Sequence, residues 1–199
     1  FKICISSAHM KDYDSIKQRV GLPPGALVHV GQQKTDKVRI RVIQYDKDTF
    51  SESEHDTVEE CFQYRDNKIL SWINIDGLQD TAEISKICTH FGMNILLIED
   101  ILDTRQRPKA EEVDDLVFVS LKMLGVSHDG DSVISEQISF VTGGSWVISF
   151  QEQEGDVFHS LRERLKKTQS IARSKKADYL LYRLIDTLVD NYFLVTEHF

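Results

Sequence analysis

No stretch of this 199-residue chain is apolar for long enough to span a bilayer. A spanning helix needs about 18–20 apolar residues in succession, and the longest apolar runs, residues 95–98 and 116–121, are core-sized. No secretory signal is visible either. Cysteine is scarce: Cys4, Cys61 and Cys88 are odd in number, widely spaced and never in a CxxC. That pattern argues against a disulfide framework and fits buried or idle thiols in a reducing compartment. The seven histidines include no pair at zinc-ligand spacing, which argues against a structural zinc site. Catalytic signatures are missing as well: no GxSxG, P-loop, GxGxxG or HExxH. His90 and His159 have no recognisable nucleophile or orienting group and read as structural histidines. The chain is therefore expected not to be an enzyme.

What is present is an ordinary globular composition, 41% hydrophobic and 28% charged. The 32 acidic residues outnumber 24 basic ones, for a formal charge of -8. An acidic surface disfavours nucleic acid and is compatible with cations, although solubility alone would account for it.

The hydrophobic periods divide the chain. Residues 1–20 are polar without a clear period, and Gly21-Leu22-Pro23-Pro24-Gly25 reads as a stiff turn. Residues 26–30 read as a short strand. Val38, Ile40 and Val42 alternate with Arg39 and Arg41, the mark of a half-buried strand. Residues 46–56 read as an acidic loop and 57–64 as a short helix. Residues 70–75 read as a strand anchored by Trp72. A helix is expected from about Thr81, capped by Asp80 or Thr81 and stopped by Gly92. A second is expected over 95–102. Strands are expected over 116–124, 136–142 and 146–150, with Gly143-Gly144 supplying positive φ to a tight hairpin. The remainder reads as helix, with Leu161 and Leu165 on one face, then a wide apolar stripe from Leu180 to Phe193. Mixed strands and helices with antiparallel hairpins argue for an α+β fold.

The densest acidic constellation is Glu99, Asp100 and Asp103, followed by Arg105, Arg107 and Lys109. On a helix, Glu99 and Asp103 stand one turn apart while Asp100 lies about 100° around. Hard divalent cations want oxygen ligands, and magnesium takes only one or two carboxylates while keeping several waters. From the residues alone, the plainer reading is a solvated helix end whose acids pair with the following bases. A second acidic set, Asp186 and Asp190, shares a helix face with Arg183, away from the leucine stripe. Its plainer reading is an Arg183–Asp186 pair.

Ordered blocks then resemble the CorA family of magnesium transporters. They include Gly21-Leu22-Pro23-Pro24-Gly25, Trp72-Ile73-Asn74-Ile75-Asp76-Gly77, Ile98-Glu99-Asp100-Ile101-Leu102 and Gln106-Arg107-Pro108-Lys109. Ser149-Phe150-Gln151-Glu152, Ala177-Asp178-Tyr179-Leu180-Leu181-Tyr182, Asp186 and Tyr192-Phe193 follow in the family's order. The family departs at two turns, having His-Pro where this chain has Asn94-Ile95, and Asp-Pro where it has His159-Ser160. Gly92-Met93-Asn94 spells the family's pore signature out of its membrane setting and reads here as a helix stop.

The resemblance implies an α/β/α sandwich with a largely antiparallel sheet and the start of a C-terminal helical extension. Residues 21–199 would form the cytoplasmic regulatory domain of a homopentameric inner-membrane transporter whose membrane helices lie beyond Phe199. The implied ion is Mg2+, as regulator and cargo, with Co2+ as a second ion. By motif match Asp100 would be the main metal ligand from this domain, with Glu99 and Asp186 in an adjoining site and a partner acid from the neighbouring subunit beyond Phe199. High cytosolic magnesium would bridge subunits and hold the pore closed. Three alternatives stay open: a zinc-transporting relative, a soluble metal-binding module, and a metal-dependent hydrolase using the same acids.

Overall fold

Burial decides how the strands are arranged. In a computed structural model, described over residues 27–31, 33–35 and 37–199, seven strands form one sheet in the order β2-β1-β3-β7-β6-β5-β4. They are β1 (Arg39–Tyr45), β2 (Phe50–His55), β3 (Leu70–Asp76), β4 (Lys109–Val113), β5 (Leu116–Val126), β6 (Val133–Gly143) and β7 (Trp146–Gln151). The central β7 is buried at every position, and β3 at every position but its last. These two strands pair in parallel, Ser71 opposite Trp146 through Asp76 opposite Gln151. The other pairs are antiparallel.

Alternating side chains give the sheet two apolar faces. On the first, Ile40, Val42, Ile73, Ile75, Ile148 and Phe150 pack against helices α1 (Thr81–His90) and α2 (Ile95–Leu102) and the 3-10 helix Val58–Tyr64. On the second, Ile43, Trp72, Ile138, Phe140 and Val147 pack against α3 (His159–Lys166) and α4 (Ala177–His198). The result is the expected α+β sandwich. In α4, Leu180, Leu184 and Leu188 are buried, whereas Val189 and Phe193 are exposed. The helix stays fastened to the β5–β6 hairpin, since Asn191 Nδ2 and the Tyr192 hydroxyl donate to the carbonyls of Leu124 and Lys122.

Several expectations need correction. Residues 46–56 are not a loop: the Asp46 carboxylate accepts from the amides of Asp48 and Thr49 at 2.8 and 2.6 Å, closing a turn from which Phe50–His55 runs as an edge strand. β4 was not expected at all. Both edge strands are mostly solvated, so neither needs apolar alternation. The strand over 26–30 reduces, in its described part, to a single parallel bridge between Val30 and Asp103. In the β6–β7 hairpin only Gly144 takes positive φ, at 56°, while Gly143 remains in the strand. The Gly21–Gly25 turn lies outside the described residues.

Gly92 does stop α1. Its φ is +85°, its amide donates to the Thr89 carbonyl at 3.1 Å, and the Met93 amide donates to the Cys88 carbonyl at 3.0 Å. This paired closure satisfies two of the carbonyls a helix end leaves open. Asn94 then caps α2, its side chain accepting from the Leu97 amide at 3.0 Å.

Candidate functional site

Helix α2 buries Leu97, Ile98, Ile101 and Leu102 against the first face of the sheet. The remaining positions must point away from the core. They carry Glu99 and Asp100, both half-buried, together with Ile95 and Leu96, which are 44% and 67% exposed. Two exposed aliphatic side chains therefore share a short helix with the acids.

The far end of α2 is held firmly. Val30 inserts between Leu102 and Thr104, its amide donating to the Leu102 carbonyl and its carbonyl accepting from the Thr104 amide, both at 3.0 Å. Gln137 Nε2 donates to the Asp103 carbonyl at 2.9 Å, and Lys122 Nζ to the Thr104 carbonyl at 2.7 Å. A cation at a helix C-terminus complements the dipole as well as the open carbonyls. Burial lowers the Lys122 ammonium from its ordinary pKa, with Glu152 and Asp103 working against that shift. These supports come from strands 18 and 34 residues further along the chain, and no local sequence signal marks them.

The Asp100 carboxylate is clamped. Lys109 Nζ donates to Oδ2 at 2.6 Å, and Gln106 Nε2 makes a close contact with Oδ1. Lys109 opens β4, reaches Glu111 at 3.4 Å and stands 5.5 Å from the centre of the Phe118 ring. Burial alone would lower the Lys109 ammonium; the hydrogen bond and charge of Asp100, with those of Glu111, outweigh it and raise its pKa. A monovalent cation thus already sits on the carboxylate expected to hold a divalent one. Lys109 was visible in the sequence as a pairing base, whereas the Gln106 contact was not.

Asp186 lies elsewhere. It is on α4, paired with Arg183 at 3.1 Å, against the second face of the sheet. The sheet therefore separates Asp186 from Glu99 and Asp100 within one chain. Among the described residues no three His, Cys, Asp or Glu side chains gather into a group able to hold a metal. Three of the soft candidates are occupied or inert. Cys61 and Cys88 are buried, and burial pushes the Cys61 thiol up to about 12 and raises that of Cys88 as well. His90 stacks on Phe62 at 3.9 Å.

The CorA-like Mg2+ transporter family model matches residues 67–199. The cobalt/magnesium transport protein CorA of Thermotoga maritima is 41% identical over 182 residues, which are 92% of this chain and 52% of that protein. The chain thus spans about half the length of the curated relative it matches. The soluble domain of CorA from Methanocaldococcus jannaschii is 16% identical with a TM-score of 0.57, covering 78% of this chain and 58% of that one. The ZntB cytoplasmic domain from Vibrio parahaemolyticus is also 16% identical, with a TM-score of 0.52 over 79% of this chain and 62% of its own. At these identities the two structures share the fold. The family match and the Thermotoga relative show that this chain belongs to the CorA-like Mg2+ transporter family.

Proposed function

We propose that this chain is the metal-sensing domain of a divalent-cation transporter, with Mg2+ as its regulating ion and Mg2+ or Co2+ as cargo. The observation that carries the reading is the Asp100 carboxylate, held on the outer side of a pinned helix and paired, among the described residues, only with one partly exposed, shared ammonium, that of Lys109. Carboxylate oxygens suit a hard cation, and magnesium needs few of them because it keeps its waters. Glu99 lies beside Asp100 on the same helix. Asp186, across the sheet, can join them only from a second copy. Exposed Ile95 and Leu96 suit a helix that meets a neighbouring subunit.

In this reading residues 21–199 lie on the cytoplasmic side of a homopentamer, and the conducting segments belong to chain outside these 199 residues. Among the described residues no helix is long and apolar enough to cross a membrane. Magnesium bridging neighbouring subunits favours the closed state, and its loss leaves carboxylates that repel. Such a ligand shifts the balance only by its differential affinity for the two states, and a full swing needs about 5.5 kcal/mol. Several weak sites acting together can supply that.

A zinc-moving relative is the second reading, favoured by the ZntB fold match. It lacks support from the donors, since among the described residues no three His, Cys, Asp or Glu side chains gather into a metal-holding group, let alone one rich in imidazole and thiolate. The test is transport by the intact protein at low and high internal Mg2+. Wild type is expected to shut down as Mg2+ rises, and Asp100→Ala to stay active. Inhibition of Asp100→Ala at the wild-type concentration would remove the sensor role.

A further inference from the structure

The second face carries a charge pattern that the metal reading does not use. Residues 159–176 hold seven Arg and Lys against the single acid Glu163, in a chain whose formal charge is -8. Some of these cations are spoken for. Arg162 pairs with Asp156 at 2.5 Å, and Lys166 with Glu163 and Glu52 at 2.9 and 3.3 Å. Arg164, Lys167, Lys175 and Lys176 are exposed and make no ion pair or side-chain hydrogen bond among the described residues.

Two further features add to the positive charge around the α3–α4 loop, although their cations do not line the hollow beside it. Helix α4 is 22 residues long, and its N-cap position is Lys176, with no side-chain cap. The positive end of a helix dipole favours acids and capping oxygens, so Lys175 and Lys176 are of the wrong sign there. Asp178, the one acid of the first turn, gives its carboxylate to the Tyr179 amide at 2.8 Å. The second is Arg173, only 4% exposed. Its Nε donates to the Asp46 carbonyl at 2.9 Å, while its Nη2 is buried with no partner among the described residues. That bond fastens the 3-10 helix Ile171–Ser174 to the β1–β2 turn, so the loop between α3 and α4 has a fixed shape.

The same loop lines an open surface hollow of about 830 Å3, with room for a nucleotide. Arg164 and Lys167 stand on one wall, where α3 ends; Thr168 and Gln169 add hydrogen-bonding groups; Ile171 and Tyr179 supply apolar surface. Ile171 is 72% exposed.

We propose that this hollow binds a free nucleotide polyphosphate, its phosphates against Arg164 and Lys167 and its base along Ile171 and Tyr179. Arginine offers a planar fork to phosphate oxygens and lysine a point charge. The site lies on the face of the sheet opposite α2 and does not depend on the metal reading.

The test is calorimetric titration of the 199-residue protein with ATP, with inorganic tripolyphosphate and with phosphatidylglycerol vesicles. Saturable ATP binding that weakens with salt is expected, with tripolyphosphate competing but binding less tightly. The double variant Arg164→Gln/Lys167→Gln should lose about tenfold or more in affinity, as removal of two charge-assisted contacts implies. Lys37→Gln, before the other end of β1, should bind as wild type does, and melting curves should show both variants folded. Failure of ATP to saturate, undiminished binding by the double variant, or binding to vesicles alone would each overturn the proposal.

Discussion

The Asp100 carboxylate is held by one amide and one ammonium, and a divalent ion can compete for both positions. Lys109 is partly exposed, so its ion pair is worth at most about 1 kcal/mol. Lys109→Met keeps much of the stem that lies near Phe118 and removes the competing charge. It is expected to lower the Mg2+ concentration that half-inhibits the transporter by about two- to fivefold. An unchanged or higher concentration would show that Lys109 does not compete with the ion. A different carboxyl governs stability. Burial raises Glu136 to about 7, against the opposing hydrogen bond from the Gln153 amide at 3.0 Å. An acid whose folded pKa is raised contributes stability below its unfolded value of 4.5, and that contribution is lost as pH climbs through about 7. Glu136→Gln keeps an acceptor for Gln153 and loses the titration. It should match wild type near pH 4.5 and exceed it at pH 8 by on the order of 2 kcal/mol, read from denaturant melts at the two pH values. Equal pH slopes in the two proteins would refute this.

Among the elements, those that bury their apolar residues were legible in the sequence. The α2 bounds, the Gly92 stop and the Asp80 cap follow from local rules, and Asp80 Oδ1 accepts from the Glu83 amide at 3.1 Å as such rules require. Strands β3 and β7, and β6 over residues 136–142, were legible because both their faces are covered there; the exposed start of β6 was not. The edge strands β2 and β4 were not, because their order comes from pairing with a neighbour rather than from their own residues. That gap reached the site itself. The partners of Asp100 were legible as a list of nearby bases, but the choice of Lys109 depends on β4, which sets its ammonium against the helix. The α1–α2 turn offers a clean test of the local rules. A Cβ at Gly92 would meet only Arg65 Nη2, at 3.6 Å, so Gly92→Ala strains the backbone without a clash. The expected cost is about 1–2 kcal/mol, which lowers the melting temperature by about 2–8 °C in a chain of this size. An unchanged melting temperature would mean that the turn relaxes.

At the scale of the whole molecule, the sheet keeps the acids apart. Asp100 stands over one core and Asp186 over the other, so one chain cannot bring them to a common ion. The family match gives the chain its relatives, and the sandwich gives each acid its side. Asp186 also has Arg183 at 3.1 Å and belongs to the adjoining site in this account, so Asp186→Ala should weaken metal response less than Asp100→Ala does. The decisive measurement is the Mg2+ concentration that half-protects the intact transporter from trypsin. That concentration is expected to rise several-fold in Asp100→Ala, with a smaller rise in Asp186→Ala. Protection of Asp100→Ala at the wild-type concentration would contradict that expectation.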